Sequence, residues 1–535
     1  MINYRMFNLT NDHSFNVFNA IKYCIENNED GLAFDKGEYH FYAERSFEDV
    51  MYVSNHDIYG IYRIVFLVKN MKNFTIDGGG SKFVFHDSVI PFYINNSANV
   101  CLKNFSIDYD ETMTLDTEVV DLGSEYFDVK VCNDEKYCIS DSMLYFYDTA
   151  GNKDVFHYFG IRSMNEDKNF IPESKDVFRV FKPEIHFEDL GDKKIRVYDS
   201  GLDVQKGMHL ITRGTLRYAC NIVISQSKDI SVSNIIMYRS YAMGILAQKT
   251  ENVFIDKITV EAKEDSLFSL NCDATHFVHC KGLVSVTNCR FSEQQDDALN
   301  IHGIFTRITD KTDEYILVKY MHRSAKGLSI YEKGSEIAII DPKTLIPTQK
   351  CVIDKVEEVN MNYTKLYLNG GTEGIEIGQD VEDLTWSCDL IFENNYVVNN
   401  RARGILIAAK GKVTIKNNYF NTPGVAILFE SDGEKWFESG GTTYVDIEDN
   451  TFDNCRYTKG NWGNNVIEVK PREQVEEGKY YHEYINISNN KFINCDGSLL
   501  YADNIKKIVF KDNITETAMK ATKASFINCG EIIKD

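Results

Sequence analysis

The segment EQQDDALNIHG (293–303) sets two adjacent carboxylates, Asp296 and Asp297, just ahead of an alternating run that ends on His302. Earlier in the chain, SLNCD (269–273) closes a similar run with Asp273. Carboxylates crowded on one surface cannot all ionise freely, so one should hold a proton at neutral pH while another, beside a cation, stays charged. That division into acid and base is what hydrolysis of a glycosidic bond requires. The expected cation is Arg403, which stands before its run in NNRARGILI (399–407) as Asp297 stands before its own.

Five segments share this pattern: GILAQ (244–248), SLNCD (269–273), ALNIH (298–302), GILIA (404–408) and AILFE (426–430). Strand side chains alternate, so Leu270, Cys272, Leu299 and Ile301 should point inward, and Asn271, Asp273, Asn300 and His302 outward. Stacked strands lie about 4.8 Å apart. The alignment then predicts Asp273 beside His302, Gln248 on its other side, and Glu430 further along. An isolated Asp in such a turn ordinarily serves solvation. Three acids gathered on one face with a His and an Arg point to catalysis instead, by Asp273, Asp296 and Asp297.

Substrate contacts are expected from His302 and Arg403, and from FESDGEKWFESGGTT (429–443), which holds Glu430, Asp432, Glu438 and Trp436. A Trp beside acids suits the apolar face of a sugar ring, and packing beneath the loop is the competing role. His276 and His279 in DATHFVHC have i, i+3 spacing, which on a strand sends them to opposite faces. No metal site and no cofactor are expected.

The elements that must carry these residues are repeats. NVCLKNFSI (99–107), DISVSNIIM (229–237), NVFIDKITV (252–260), LVSVTNCRF (283–291), LIFENNYVV (390–398), KVTIKNNYF (412–420), YVDIEDNTF (444–452) and YINISNNKF (484–492) each pair an alternating strand with Asn-rich turn chemistry. Uninterrupted copies recur every roughly 22 to 30 residues, the length of one solenoid coil. Asn tolerates left-handed backbone angles and can hydrogen-bond along a stack of its own kind. A fixed leucine frame and four-stranded blades are both missing, which leaves an all-β, right-handed parallel β-helix.

Gaps in the repeat contain short alternating strands such as EYILVKYMH (314–322) and TKLYLNG (364–370). Gaps of that length are not structureless loops. The expected organisation is an N-terminal cap with the first coils (1–110), an inserted antiparallel β-domain (111–227), central coils (228–303), a second inserted β-domain (304–388) and C-terminal coils (389–535). Residues 13–28 have helical periodicity and should close the open end of the solenoid.

Composition narrows the partners. A net charge of −22 with no polybasic run works against nucleic acid. The N-terminus lacks a basic segment followed by an apolar one, and no stretch reaches the roughly 18 apolar residues of a membrane span. The compartment is therefore left between the cytoplasm and secretion with a leader removed. Thirteen cysteines without metal spacing suggest buried thiols. The partner expected is a glycan, with self-association open.

The chain resembles glycoside hydrolase family 110 from about residue 60 to 500, through DGGGSKFVFHD (77–87), PFYINNS (91–97), FSIDYD (105–110), CDATHF (272–277), QQDDALNIHG (294–303), NNRARGILI and WFESG (436–440). The resemblance implies a β-helical exo-enzyme that releases terminal α-1,3-linked galactose with inversion, from blood-group B determinants or linear Gal-α-1,3-Gal. It places the catalytic acids at Asp273, Asp296 and Asp297 without dividing their roles. The chain offset between Asp273 and the 296/297 pair suggests a wide gap that suits inversion.

Three other readings remain. A polygalacturonase-like enzyme shares the fold and paired Asp, but INIHGIF matches its pattern only in part and a basic uronate clamp is missing. A polysaccharide lyase needs a Lys or Arg base with Ca²⁺. A non-catalytic glycan-binding β-helix should lack clustered acids.

Overall fold

The computed structural model describes residues 1–535 except 57–59, 149–152, 156–158, 165–176, 179–184, 199–203, 215–216, 265, 459–461, 472–477, 496–497 and 517–523. Parts of the expected 111–227 insertion thus lie outside the described residues.

The chain forms a right-handed parallel β-helix. One long sheet runs through Lys72–Phe85, Ala98–Tyr109, Lys228–Met237, Glu251–Val260, Lys281–Thr287, Cys388–Glu393, Lys412–Lys416, Tyr444–Glu448, His482–Ser488 and Ile505–Lys511, each parallel to the next. A second sheet carries the site. It stacks Ile90–Asn95, Ile222–Ser225, Ile245–Gln248, Thr275–Val278, Leu299–Lys311, Ile405–Ala408 and Ile427–Phe429. Alternation puts β-branched and aromatic residues into a continuous core, where the Phe392, Phe420, Phe452 and Phe492 rings stack rung on rung, 6.2, 5.3 and 4.9 Å apart.

The Asn pairs at the coil corners divide their work. Asn394, Asn417 and Asn489 take positive φ to turn the chain. The Asn that follows each is buried and passes a hydrogen bond to the next rung. The Asn395 backbone N–H donates to Asn418 Oδ1 at 2.8 Å, Asn418 to Asn450 at 3.0 Å, Asn450 to Asn490 at 3.0 Å and Asn490 to Asn513 at 3.0 Å. The ladder satisfies backbone donors that a corner leaves without a sheet partner.

Helix His13–Asn27 is capped by the Asp12 side chain, which accepts from the Ser14 N–H, and ends on Asn28 in the left-handed region. Its Val17, Ala20, Ile21 and Cys24 pack onto the first coils. Among the described residues, antiparallel strands interrupt the solenoid in two stretches. In one, Thr114–Leu122 is flanked by Phe127–Val131 and His209–Arg213. In the other, Leu299–Lys311, Tyr315–Tyr320, Tyr363–Leu368, Pro347–Asn360, Glu336–Ile340 and Asp380–Asp383 pair in that order, and the last returns to the first. That closed barrel is filled by Ile308, Ile316, Val318, Ile337, Leu366 and Val381. Among the described residues no helix is long and apolar enough to cross a membrane.

Candidate active site

The strand register differs from the expected one at one rung. Thr275–Val278, not 269–273, pairs with Ile245–Gln248 on one side and Leu299–His302 on the other. The alignment on SLNCD was therefore five residues early. Its alternating Leu270 and Cys272 are buried, but they line a corner that joins its neighbours through an isolated bridge from Ser240 to Leu270 and single backbone hydrogen bonds rather than as a strand. A small residue opens five successive rungs of this sheet, namely Gly244, Ala274, Ala298, Gly404 and Ala426, where the rungs touch. A Cβ on Gly404 would meet the Ala426 carbonyl oxygen at 2.3 Å. Ser269 mimicked that small residue.

Two consequences follow. Asp273 is the rung neighbour of Asp297, not of His302, so the chain offset expected between them is absent. Gln248 is drawn away from the acids. Its Oε1 accepts from the Ser54 N–H at 2.8 Å, and its Nε2 donates to the Tyr52 carbonyl at 2.8 Å, tying segment 52–55 across the sheet.

Asp273, Asp296 and Asp297 bring carboxylate oxygens within 4.8 Å of one another. Each sits where a corner enters its strand, so a close-packed backbone positions it. Asp297 is fully buried, and Arg403, one rung on, holds it. The Arg403 backbone N–H and Nε reach Asp297 Oδ1 at 3.0 and 3.1 Å, and Nη2 pairs with Oδ2 at 2.7 Å. Asp273 Oδ1 accepts from the Asp297 backbone N–H at 3.2 Å.

Burial and the adjacent Asp296 push the Asp273 carboxyl up to about 7, against the pull of Arg217 and Arg403. Burial also pushes Asp297 upward, with Asp296 and Asp273 adding to it, while the Arg403 ion pair opposes. The guanidinium in turn is held more firmly charged by Asp297. At neutral pH the cluster therefore retains a proton beside a fixed positive charge, the arrangement acid–base chemistry needs.

The remaining expected residues spread around this cluster. His302 Nε2 lies 3.7 Å from Glu438 Oε1, because Glu438–Ser439 pairs antiparallel with Gly303–Ile304. Glu430 lies 3.6 Å from Lys470 and adds to the field that keeps Arg403 charged. Asp432 accepts the backbone N–H groups of Glu434 and Lys435 at 2.8 and 2.7 Å and that of Trp436 at 3.2 Å, so its carboxylate shapes the loop. Trp436 is 37% exposed, with the His322 ring 4.9 Å away.

Three participants were not legible as such. His276 accompanies Asp273, Arg217 reaches the cluster from the end of the first antiparallel unit, and Asn55 arrives from 221 residues earlier in the chain. For His276 the signal was its place three residues after Asp273 on a strand that faces the acids. Its companion His279 points away, to the Ile330 carbonyl at 3.3 Å.

Another set with metal-ligand chemistry is Asp116, Cys132 and His209 on the first antiparallel unit, where His209 Nδ1 lies 2.9 Å from Asp116 Oδ1. In the acid cluster, two nearby guanidinium groups supply the positive charge a cation would bring.

The family model described as GLAA-B beta-barrel domain II matches residues 315–374, within the closed antiparallel barrel. Alpha-1,3-galactosidase A of Shewanella woodyi is 29% identical over 517 residues, covering 92% of this chain and 81% of its own. Alpha-1,3-galactosidase B of Phocaeicola vulgatus is 29% identical over 513 residues, covering 90% and 85%. The resemblance read from short motifs thus extends along nearly the whole chain. Among solved structures, a hyperthermoactive exopolygalacturonase from Thermotoga maritima covers 100% of this chain and 91% of its own, at 12% identity and a TM-score of 0.44.

Proposed function

We propose that this chain is an exo-acting glycoside hydrolase that removes terminal α-1,3-linked galactose with inversion, on the premise that it shares the chemistry of the α-1,3-galactosidases it aligns with. The observation that carries the reading is the cluster of Asp273, Asp296 and Asp297 oxygens within 4.8 Å, locked by Arg403.

In this reading Asp273 carries the proton near neutral pH and delivers it to the departing glycosidic oxygen. Asp297, held by Arg403, orients a water and takes its proton as the water attacks the anomeric carbon. Asp296, the most open of the three, faces the bound sugar. Inversion rests on the family resemblance alone, because the wide gap expected from the chain offset is absent and the three carboxylates bring oxygens within 4.8 Å of one another, closer than the roughly 6.5 to 9.5 Å of an inverting pair. Glu438 on one side and Trp436 on the other are proposed to hold the galactose ring, with His302 behind them, both its ring nitrogens engaged by the protein, and the two antiparallel units to select between branched and linear acceptors.

The test is release of galactose from defined α-1,3-, α-1,4- and α-1,6-galactosyl disaccharides, with and without a fucosyl branch. Galactose should appear from the α-1,3 linkage. Cleavage of polygalacturonate with none of the galactosides would overturn the proposal in favour of a uronate hydrolase.

A further inference from the structure

Behind Asp273 runs a line of buried groups that the acid–base pair does not use. His276 Nδ1 lies 2.5 Å from Asp273 Oδ2, and His276 Nε2 lies 3.1 Å from His302 Nε2. His302 Nδ1 in turn lies 2.7 Å from the Gly303 carbonyl. Asn55 Nδ2 approaches His276 Nε2 at 3.0 Å. The exposures of Asp273, His276 and His302 are 5%, 1% and 6%, so water has little access along the line.

Each contact holds one proton, and counting them constrains the charges. A carbonyl only accepts, so His302 Nδ1 carries a hydrogen. The contact between the two Nε2 atoms needs one proton, and that between Asp273 and His276 needs one more. If Asp273 is protonated, it donates to His276 Nδ1, His276 Nε2–H donates to His302, and both rings are neutral. If Asp273 is ionised, His276 carries its hydrogen on Nδ1 instead. The proton between the rings then sits on His302 Nε2, which makes His302 the cation, with Glu438 3.7 Å away as its counter-charge. The two states contain the same protons and differ by one hop at each of two contacts. An amide N–H from Asn55 to His276 Nε2 favours the second, and rotating the amide accommodates the first.

We infer that Asp273, His276 and His302 form a buried relay in which one proton is shared between the Asp273 carboxyl and the His302 ring through His276. The inference rests on the glycosidase reading for its purpose: a proton that Asp273 gives to the leaving group is replaced from His302 without opening the site to water. His276 is a positioning and relay residue that touches no substrate. The charged groups that face the line are Asp296, Arg217, Arg403 and Glu438. Burial, with His302 second, holds the His276 ring well below the ordinary imidazole range, so when Asp273 is ionised the positive charge does not rest on His276.

The deciding measurement is nitrogen NMR of the full chain labelled with ¹⁵N-histidine, comparing wild type with Asp273→Asn. Loss of the carboxyl should convert His302 from a ring partly protonated at Nε2 near pH 7 to a neutral one. An unchanged His302 signal overturns the relay, whatever the substrate turns out to be. The second arm is kinetic. His302→Gln keeps a hydrogen-bonding group but no proton store, so kcat should fall about tenfold with KM within about twofold. The alkaline limb of kcat should also move to lower pH, because one of the two sites that hold the proton is gone. A limb that superimposes on the wild-type one, in a variant that melts normally, also overturns it. Absence of galactose release by the wild type would count against the proposed function alone, since the NMR arm needs no turnover.

Discussion

Arg403 embraces Asp297 from the neighbouring rung, with its backbone N–H and Nε on one carboxylate oxygen at 3.0 and 3.1 Å and Nη2 on the other at 2.7 Å. The two are 106 residues apart in sequence, yet they occupy equivalent positions of adjacent coils. The pair fixes both the charge and the direction of the carboxylate, and a planar fork is needed to do both. Arg403→Lys, which keeps the charge but not the fork, should lower kcat/KM by about 10²-fold. Arg403→Met should lose more, and also lose stability, because it strands a buried carboxylate. Near wild-type turnover in the Lys variant would assign Arg403 to packing.

Asp273→Asn, Asp296→Asn and Asp297→Asn preserve shape and remove charge. Each should reduce kcat by about 10² to 10⁴, the contribution of general acid–base catalysis. Steady-state kinetics on an α-1,3-galactoside, with circular dichroism to verify folding, checks this.

The position of Asp273 also makes a statement about stability. Its folded pKa, pushed up to about 7, lies above the unfolded value of about 3.9. Its contribution is therefore fully present below about pH 3.9 and is lost as pH rises through about 7. Asp273→Asn should melt higher than wild type at pH 8, with the difference shrinking towards pH 4. Thermal melts across that range that show a constant difference would contradict the assignment. The same raised value predicts that kcat declines above about pH 7, as the acid loses its proton.

If Asp297 acts through water, proton NMR of the first turnovers should show β-galactose, which then mutarotates. First appearance of α-galactose, or a trapped galactosyl ester, would indicate a retaining mechanism. Chelation by EDTA should leave the rate unchanged, because Arg403 and Arg217 supply the positive charge.

Asn450 accepts from Asn418 and donates to Asn490 at the centre of the corner ladder. Asn450→Ala should cost about 1–3 kcal/mol, the penalty for a buried donor left unpaired, and leave KM untouched. The turn itself is made by the preceding residue, Asp449, at positive φ, so that corner should keep its path. Chemical denaturation and kinetics separate the two effects.

Local sequence suffices for the solenoid and for which acids gather on one face of it. Alternation of period two, Asn corners and a repeat near coil length are short-range signals, and each copy reinforced the others, so the β-helix was legible from eight short segments. Asp297 and Arg403 were legible as partners because both immediately precede a strand that begins on a small residue. The rung of Asp273 was not, since SLNCD and ATHFV both begin small and alternate, and a single-chain pattern cannot rank two frames five residues apart. The backbone contact between coils decided it, and with it the direct adjacency of Asp273 and Asp297. Nor could the sequence reveal Asn55 against His276, or Arg217 beside the acids. Those groups arrive from a crossing segment and from an antiparallel unit whose placement depends on long-range packing. The strength of a carboxylic acid depends on what surrounds it within a few ångströms. That is why the choice of residues was written in the chain, while the proton each one holds was decided only by the fold.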